Sequence, residues 1–119
     1  MKKILLLFIL FTLSSCLDTI EETPITCEYT DPLKDLEWLK KIKTGFEQSA
    51  SPSKKRITQY FYKNNVAFMI NECVGCADNL VTVYNCYGKV ICQFGGINGL
   101  NTCPDFEEDA SNKLIIWEN

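Results

Sequence analysis

The chain has 119 residues, 46% hydrophobic and 23% charged, with seven Cys, no His and a formal net charge of −3, which fits one small globular domain. Without His, the Ser-His-Asp and Cys-His nucleophilic machineries, His-ligated zinc or haem, and an imidazole pH switch near neutrality are excluded. Six Gly and four Pro are ordinary usage and no repeat is visible, so collagen-like, Pro/Gly-rich disordered and solenoid chains are excluded as well.

Lys2 and Lys3 form a positive n-region, and Ile4 to Leu13 is an uncharged apolar run too short to span a bilayer, the pattern of a secretory leader. The run ends Leu13-Ser14-Ser15-Cys16, which resembles the lipobox of bacterial lipoproteins. In that chemistry the Cys thiol becomes a diacylglyceryl thioether, and small residues before it let the backbone enter the signal peptidase. Residues 1–15 therefore read as a lipoprotein signal peptide and Cys16 as the acylated N-terminus. The competing readings are an ordinary cleaved leader with an incidental Cys16, or an uncleaved anchor. Two or three acyl chains, palmitate among them, hold a protein stably on a membrane without spanning it. The expected location is the bacterial cell envelope, at the outer membrane.

Residues 17–26 (LDTIEETPIT) are polar with one Pro and no period, a tether between lipid and domain. Cleavage would remove Lys2 and Lys3, leaving ten Lys and Arg against 15 Asp and Glu and a formal charge of −5. That balance gives no support to nucleic acid as a partner.

Cys27, Cys73, Cys76, Cys86, Cys92 and Cys103 remain. An even number in a small exported domain predicts up to three disulfides, with the pairing open. Cys73-Val74-Gly75-Cys76 has the spacing of thiol oxidoreductases, in which a helix N-terminus or a cation activates the first thiol. Here a turn and the β-branched run Leu80-Val81-Thr82-Val83-Tyr84 follow instead of a helix, which disfavours redox catalysis. Four-thiolate zinc on Cys73, Cys76, Cys86 and Cys92 has a tolerable spacing, but export favours oxidised cysteines. No metal and no cofactor are expected.

From residue 27 onward one domain is expected. Asp31-Pro32 offers an N-cap and a Pro at the first helical position, and Leu33, Leu36, Leu39, Ile42 and Phe46 recur at spacings of three and four, predicting one amphipathic helix ending near Phe46 or Glu47. Trp38 falls on the flank of that stripe. Ile57 to Tyr62 and Val66 to Asn71 read as strands around a tight turn at Lys63-Asn64-Asn65. Leu80 to Asn85 and Lys89 to Phe94 read as a second hairpin, with Gly88 in the left-handed position and Val83 near Ile91. Phe94 to Asn101 reads as a Gly- and Asn-rich flexible loop, Pro104 to Ala110 as a short helix and Lys113 to Glu118 as a closing strand. The order predicts an α+β fold, with one N-terminal amphipathic helix on an antiparallel meander sheet of four to five strands, stabilised by disulfides.

Glu37-Trp38-Leu39, Ile57-Thr58-Gln59-Tyr60, Tyr84-Asn85-Cys86-Tyr87-Gly88-Lys89-Val90-Ile91-Cys92, Gly95-Gly96 and Thr102-Cys103-Pro104-Asp105-Phe106 together resemble a family of small uncharacterised lipoproteins from Bacteroidetes-type bacteria, a domain of unknown function. The resemblance covers about Cys27 to the C-terminus. It implies a compact exported domain and transfers no catalytic residue.

Gly95 to Gly99 lacks the Lys and the spacing of a phosphate-binding loop. Asp105, Glu107, Glu108 and Asp109 match no calcium loop and fit a solvated helix start; nor do they supply two carboxylates from separate segments for glycoside chemistry. No catalytic residue is assigned. Binding is the remaining expectation, toward an envelope or secreted protein as partner or inhibitor, with Ile97 and Leu100 in the loop and Tyr60, Tyr62, Tyr84 and Tyr87 on the sheet as contact candidates. The alternative is a thiol-disulfide oxidoreductase using Cys73 and Cys76.

Overall fold

A computed structural model describes residues 27–119. The signal peptide expected over residues 1–15, the acylated Cys16 and the tether up to residue 26 lie outside the described residues.

Asp31 caps a single helical turn, α1 (Pro32–Asp35), by accepting a hydrogen bond from the Leu33 N–H. The Asp35 carboxylate closes that turn on itself by accepting from the N–H groups of Thr30 and Asp31 at 2.9 Å each. Leu36 then leaves the helical region, with φ −95° and ψ 100°, and its carbonyl accepts from Leu39 and Lys40 to start α2 (Glu37–Gln48). The single helix expected from Asp31 is therefore two, broken at Leu36. The apolar period survives the break because Leu33 and Leu36 still reach the cluster around buried Leu39.

Six antiparallel strands follow: β1 (Arg56–Tyr62), β2 (Asn65–Asn71), β3 (Leu80–Asn85), β4 (Val90–Gly95), the two-residue β5 (Leu100–Asn101) and, after the one-turn α3 (Phe106–Asp109), β6 (Ser111–Glu118). Their spatial order is β5-β4-β3-β2-β1-β6. The sheet thus exceeds the four to five expected strands, and the molecule is mostly β with small helical parts. One element accounts for the excess. β5 pairs Phe94 with Asn101 and Gly95 with Leu100, so the expected flexible loop contracts to the turn Gly96–Gly99. β6 returns to the far side of the sheet beside β1.

Lys63 and Asn64 both take positive φ, 48° and 61°, and close the β1–β2 hairpin as expected of its polar turn. In the β3–β4 hairpin Val83 faces Cys92, not Ile91, because the register shifts before Tyr84, which faces Val90. The bulge leaves Ile91 outside the pairing, a one-residue offset that the sequence pattern of the hairpin does not reveal.

Alternation along the strands divides the core between two faces. On one face Ile57, Phe68 and Ile70 bury against Leu39, joined by Trp38, Ile42 and Phe46 of α2. On the other, Tyr62, Ala67, Val83 and Cys92 bury against Phe106 and Cys103, so the C-terminal segment covers the face that a lone helix would leave open.

Candidate functional site

Three disulfides join the six domain cysteines: Cys27–Cys86, Cys73–Cys76 and Cys92–Cys103. They sort by place. Cys86, Cys92 and Cys103 are buried, and their bridges tie the entering chain to the β3–β4 turn and α3's approach to β4. Cys73 and Cys76 close a surface turn between β2 and β3, with Cys76 exposed.

Antiparallel connectivity places the turns at two ends of the sheet. The Cys27 end holds the Lys63-Asn64 turn, the Cys86–Lys89 turn and the start of β6; the Cys73 end holds the Cys73–Cys76 turn, the Gly96–Gly99 turn and the end of β6.

At the Cys73 end the two turns are joined. The Gly96 N–H donates to the Asn79 carbonyl at 3.0 Å, and Gly95, at φ 97°, presses so closely on that carbonyl that no Cβ fits. Asn79 in turn donates to Asn71 Oδ1, which also accepts the Cys73 N–H at 3.1 Å. Val74 donates to the Lys54 carbonyl at 2.7 Å, pinning the disulfide turn to the segment before β1. Ile97 projects from this joined platform at 85% exposure, and Leu100 stands exposed beside it on β5. An open concavity next to the disulfide is lined by Ser51, Ser53, Glu72, Cys73, Cys76 and Asp78.

Lys55 supports the same end and was not legible as a functional or structural residue in the sequence. It is 4% exposed, and its ammonium donates to the Ser51 and Ser53 carbonyls at 3.2 and 3.0 Å and to the Ser53 hydroxyl at 3.2 Å. The charge is thus solvated by the loop it folds.

At the Cys27 end a cleft of ≈ 260 Å³ opens between two bridges, lined by Tyr62, Lys63, Asn65, Asn85, Ile91 and Thr102 among others. At its rim the Tyr62 hydroxyl donates to Asp105 Oδ1 at 2.7 Å, and Lys63 Nζ lies 3.6 Å from Asp105 Oδ2. The Tyr62 hydroxyl holds the Asp105 carboxyl below the usual carboxylate range, with the Lys63 charge adding to it. Burial pushes the Tyr62 phenol up, as does the carboxylate it faces. Lys63 is pushed up by Tyr62 and by the charge of Asp105. All three shifts deepen the form already present near neutrality, so the trio clasps α3 to the β1–β2 turn and is not tuned to exchange a proton there.

The sheet tyrosines do not form the expected solvent face. Tyr62 is buried and Tyr60 half-buried because both pack on Phe106, with ring centroids 4.9 and 5.1 Å away. Tyr84 lies on the opposite face, 5.3 Å from the Trp38 ring. Only Tyr87 of these four is exposed, on the β3–β4 turn. Among the described residues no group of three or more Cys, Asp or Glu is placed to hold a metal, the acids Asp105, Glu107, Glu108 and Asp109 included.

No curated protein matches the chain significantly, nor does any solved structure. A family model described as Domain of unknown function (DUF6970) matches residues 43–119, a span that starts inside α2 and takes in all six strands, α3 and five of the six domain cysteines. Cys27 and Trp38 precede it. With the whole sheet inside the match, the chain belongs to the family of this domain of unknown function, DUF6970.

Proposed function

We propose that the chain is an exported lipoprotein, anchored in the bacterial envelope by acyl chains on Cys16, whose domain works by binding an envelope or secreted protein through the Cys73 end. The lipobox-like Leu13-Ser14-Ser15-Cys16 supports the anchor, and three disulfides in the domain accord with an oxidising compartment. The observation that carries the binding reading is Ile97, a large apolar side chain held 85% exposed on a turn that is itself fixed by the Gly96–Asn79 hydrogen bond. With exposed Leu80 against Gly96 and exposed Leu100 on β5, Ile97 belongs to an apolar patch of the kind that marks protein contacts. Crosslinked capture from intact envelopes tests it. Ile97→Asp should lose the partners that the wild type retains while keeping the wild-type circular dichroism spectrum; identical partners for both would overturn the reading.

A second reading, thiol-disulfide exchange at Cys73–Cys76, is favoured by one observation, the exposure of Cys76. Against it, the turn runs into β3 and not into a helix whose N-terminus would stabilise a thiolate. Turnover in a dithiol-driven insulin reduction assay, lost in Cys73→Ser, would select this reading over binding.

A further inference from the structure

The Cys27 end carries an apolar cluster that the binding reading leaves unused. Tyr87, Val90 and Ile91 are 66%, 47% and 42% exposed within five residues of the β3–β4 hairpin, and Phe61, also exposed, stands on β1 near the same end. Soluble surfaces normally scatter such side chains, and their concentration on one tip calls for a covering surface. Two observations say which.

The first is where the chain enters. Cys27 is bridged to Cys86, immediately before Tyr87, so the polypeptide arriving from Cys16 is fastened to this hairpin. Only residues 17–26 intervene, and eleven Cα steps reach at most about 40 Å even when fully extended. The strands are seven residues or so long, about 23 Å. That reach exceeds the length of the sheet, so the tether alone sets no orientation, but the hairpin tip is the part of the domain fastened nearest along the chain to an acyl group on Cys16.

The second is the chemistry of the tip. Tyr is favoured at the membrane–water interface because its ring is apolar and its hydroxyl polar, and exposed Lys89 can lay its aliphatic stem along apolar neighbours with the ammonium toward headgroups. Lys63 and Lys89 stand at this end against Glu28 and Asp105, and Glu107 of α3 lies toward Tyr60, Met69 and Phe94 over the face of the sheet.

We propose that the β3–β4 hairpin tip, Tyr87 with Val90 and Ile91, seats in the interfacial layer of the membrane that Cys16 anchors, turning the Cys73 end and Ile97 outward. The proposal rests on the acylation of Cys16 proposed above and adds a docked orientation to it. Binding is driven by apolar burial, so anionic lipid is not required.

The two tryptophans supply native reporters. Trp38 donates from Nε1 to the Cys86 carbonyl at 2.9 Å and touches the hairpin turn. Trp117 pairs with Ile57 and packs on Phe46 toward the opposite end. The full chain is reconstituted in phosphatidylethanolamine–phosphatidylglycerol vesicles containing lipids brominated near the headgroup, after its intact mass has shown the lipid on Cys16. Emission is read in Trp117→Phe, which leaves Trp38, and in the unmodified protein, from which the Trp117 contribution follows by difference. A docked tip predicts quenching of Trp38 at least about twofold stronger than that of Trp117, and hydrogen-exchange protection of residues 86–91 on vesicles in the otherwise unmodified protein. Both effects should vanish in Tyr87→Ser/Val90→Asn, with the lipid still attached. Equal quenching and unchanged exchange in acylated protein would overturn the docked orientation and leave the anchor standing, whereas a Cys16 without lipid would overturn the anchor and the orientation with it.

Discussion

The indole of Trp38 occupies the place where residue 88 would carry a side chain: a Cβ on Gly88 would meet Trp38 Cγ at 2.7 Å. Gly88 also holds φ 78°, which L side chains adopt only under strain. The same indole donates to the Cys86 carbonyl and packs edge-on to Phe68 and tilted against Tyr84, so one residue of α2 fixes the β3–β4 turn that bears Tyr87. Gly88→Ala combines overpacking with a left-handed backbone penalty and should cost about 2–4 kcal/mol in urea unfolding. A loss under about 1 kcal/mol would mean that Trp38 can move aside.

The disulfides should rank by the loop each closes. For separations of 59, 11 and 3 residues, the chain-entropy relation gives about 4, about 3 and less than about 2 kcal/mol for Cys27–Cys86, Cys92–Cys103 and Cys73–Cys76. Paired Cys→Ala variants measured by thermal unfolding should follow that order. Peptide mapping of the non-reduced protein should return these three pairs, with a mass about six hydrogens below the fully reduced form.

The Asp105 carboxyl is held low by the Tyr62 hydroxyl and Lys63. Because its folded-state value lies below the unfolded one, its contribution to stability is present above the ordinary carboxylate range. That contribution fades as pH falls through the folded-state value. Removing the hydroxyl with Tyr62→Phe should move the Asp105 carboxyl titration upward, toward the ordinary value, as followed by carbon NMR. An unmoved titration would assign the shift to Lys63 and the backbone instead.

Ile97 and Leu100 differ in how far they belong to the fold. Ile97→Asp changes a side chain that is almost wholly exposed and should leave stability within about 0.5 kcal/mol of wild type. Leu100 pairs with Gly95 on the edge strand and is less exposed than Ile97, so Leu100→Asp should cost about 1 kcal/mol through lost β propensity and packing. A collapse of stability in Ile97→Asp would remove it from the contact surface.

Lys55→Met replaces a buried ammonium that donates three hydrogen bonds to Ser51 and Ser53. The apolar stem is kept, but two carbonyls lose their donor, and the expected cost is about 1–3 kcal/mol. Amide exchange should rise first over residues 51–55, whose loop folds around that charge, before β1 itself opens.

The sequence by itself determined the elements whose cause is local. The turn at Lys63-Asn64, the left-handed Gly88, the cap at Asp31 and the five long strands follow from residues within a few positions of one another, and the even count of domain cysteines is matched by three bridges. What only the tertiary structure decided are the features that depend on partners far along the chain. The break at Leu36 is the exception, since Asp35 turns back on Thr30 only five residues away, a local contact that apolar periodicity does not report. Tyr60 and Tyr62 lose their expected solvent face because Phe106, more than forty residues on, covers them. The one-residue bulge opposite Val83 moves Ile91 out of the pairing. The grouping of Ile97 with Cys73–Cys76 at one end, and of Tyr87 with Cys27 at the other, comes from strand order and bridge pairing. Neither is encoded in any short window, since periodicity reports which face a residue takes and not what will cover that face.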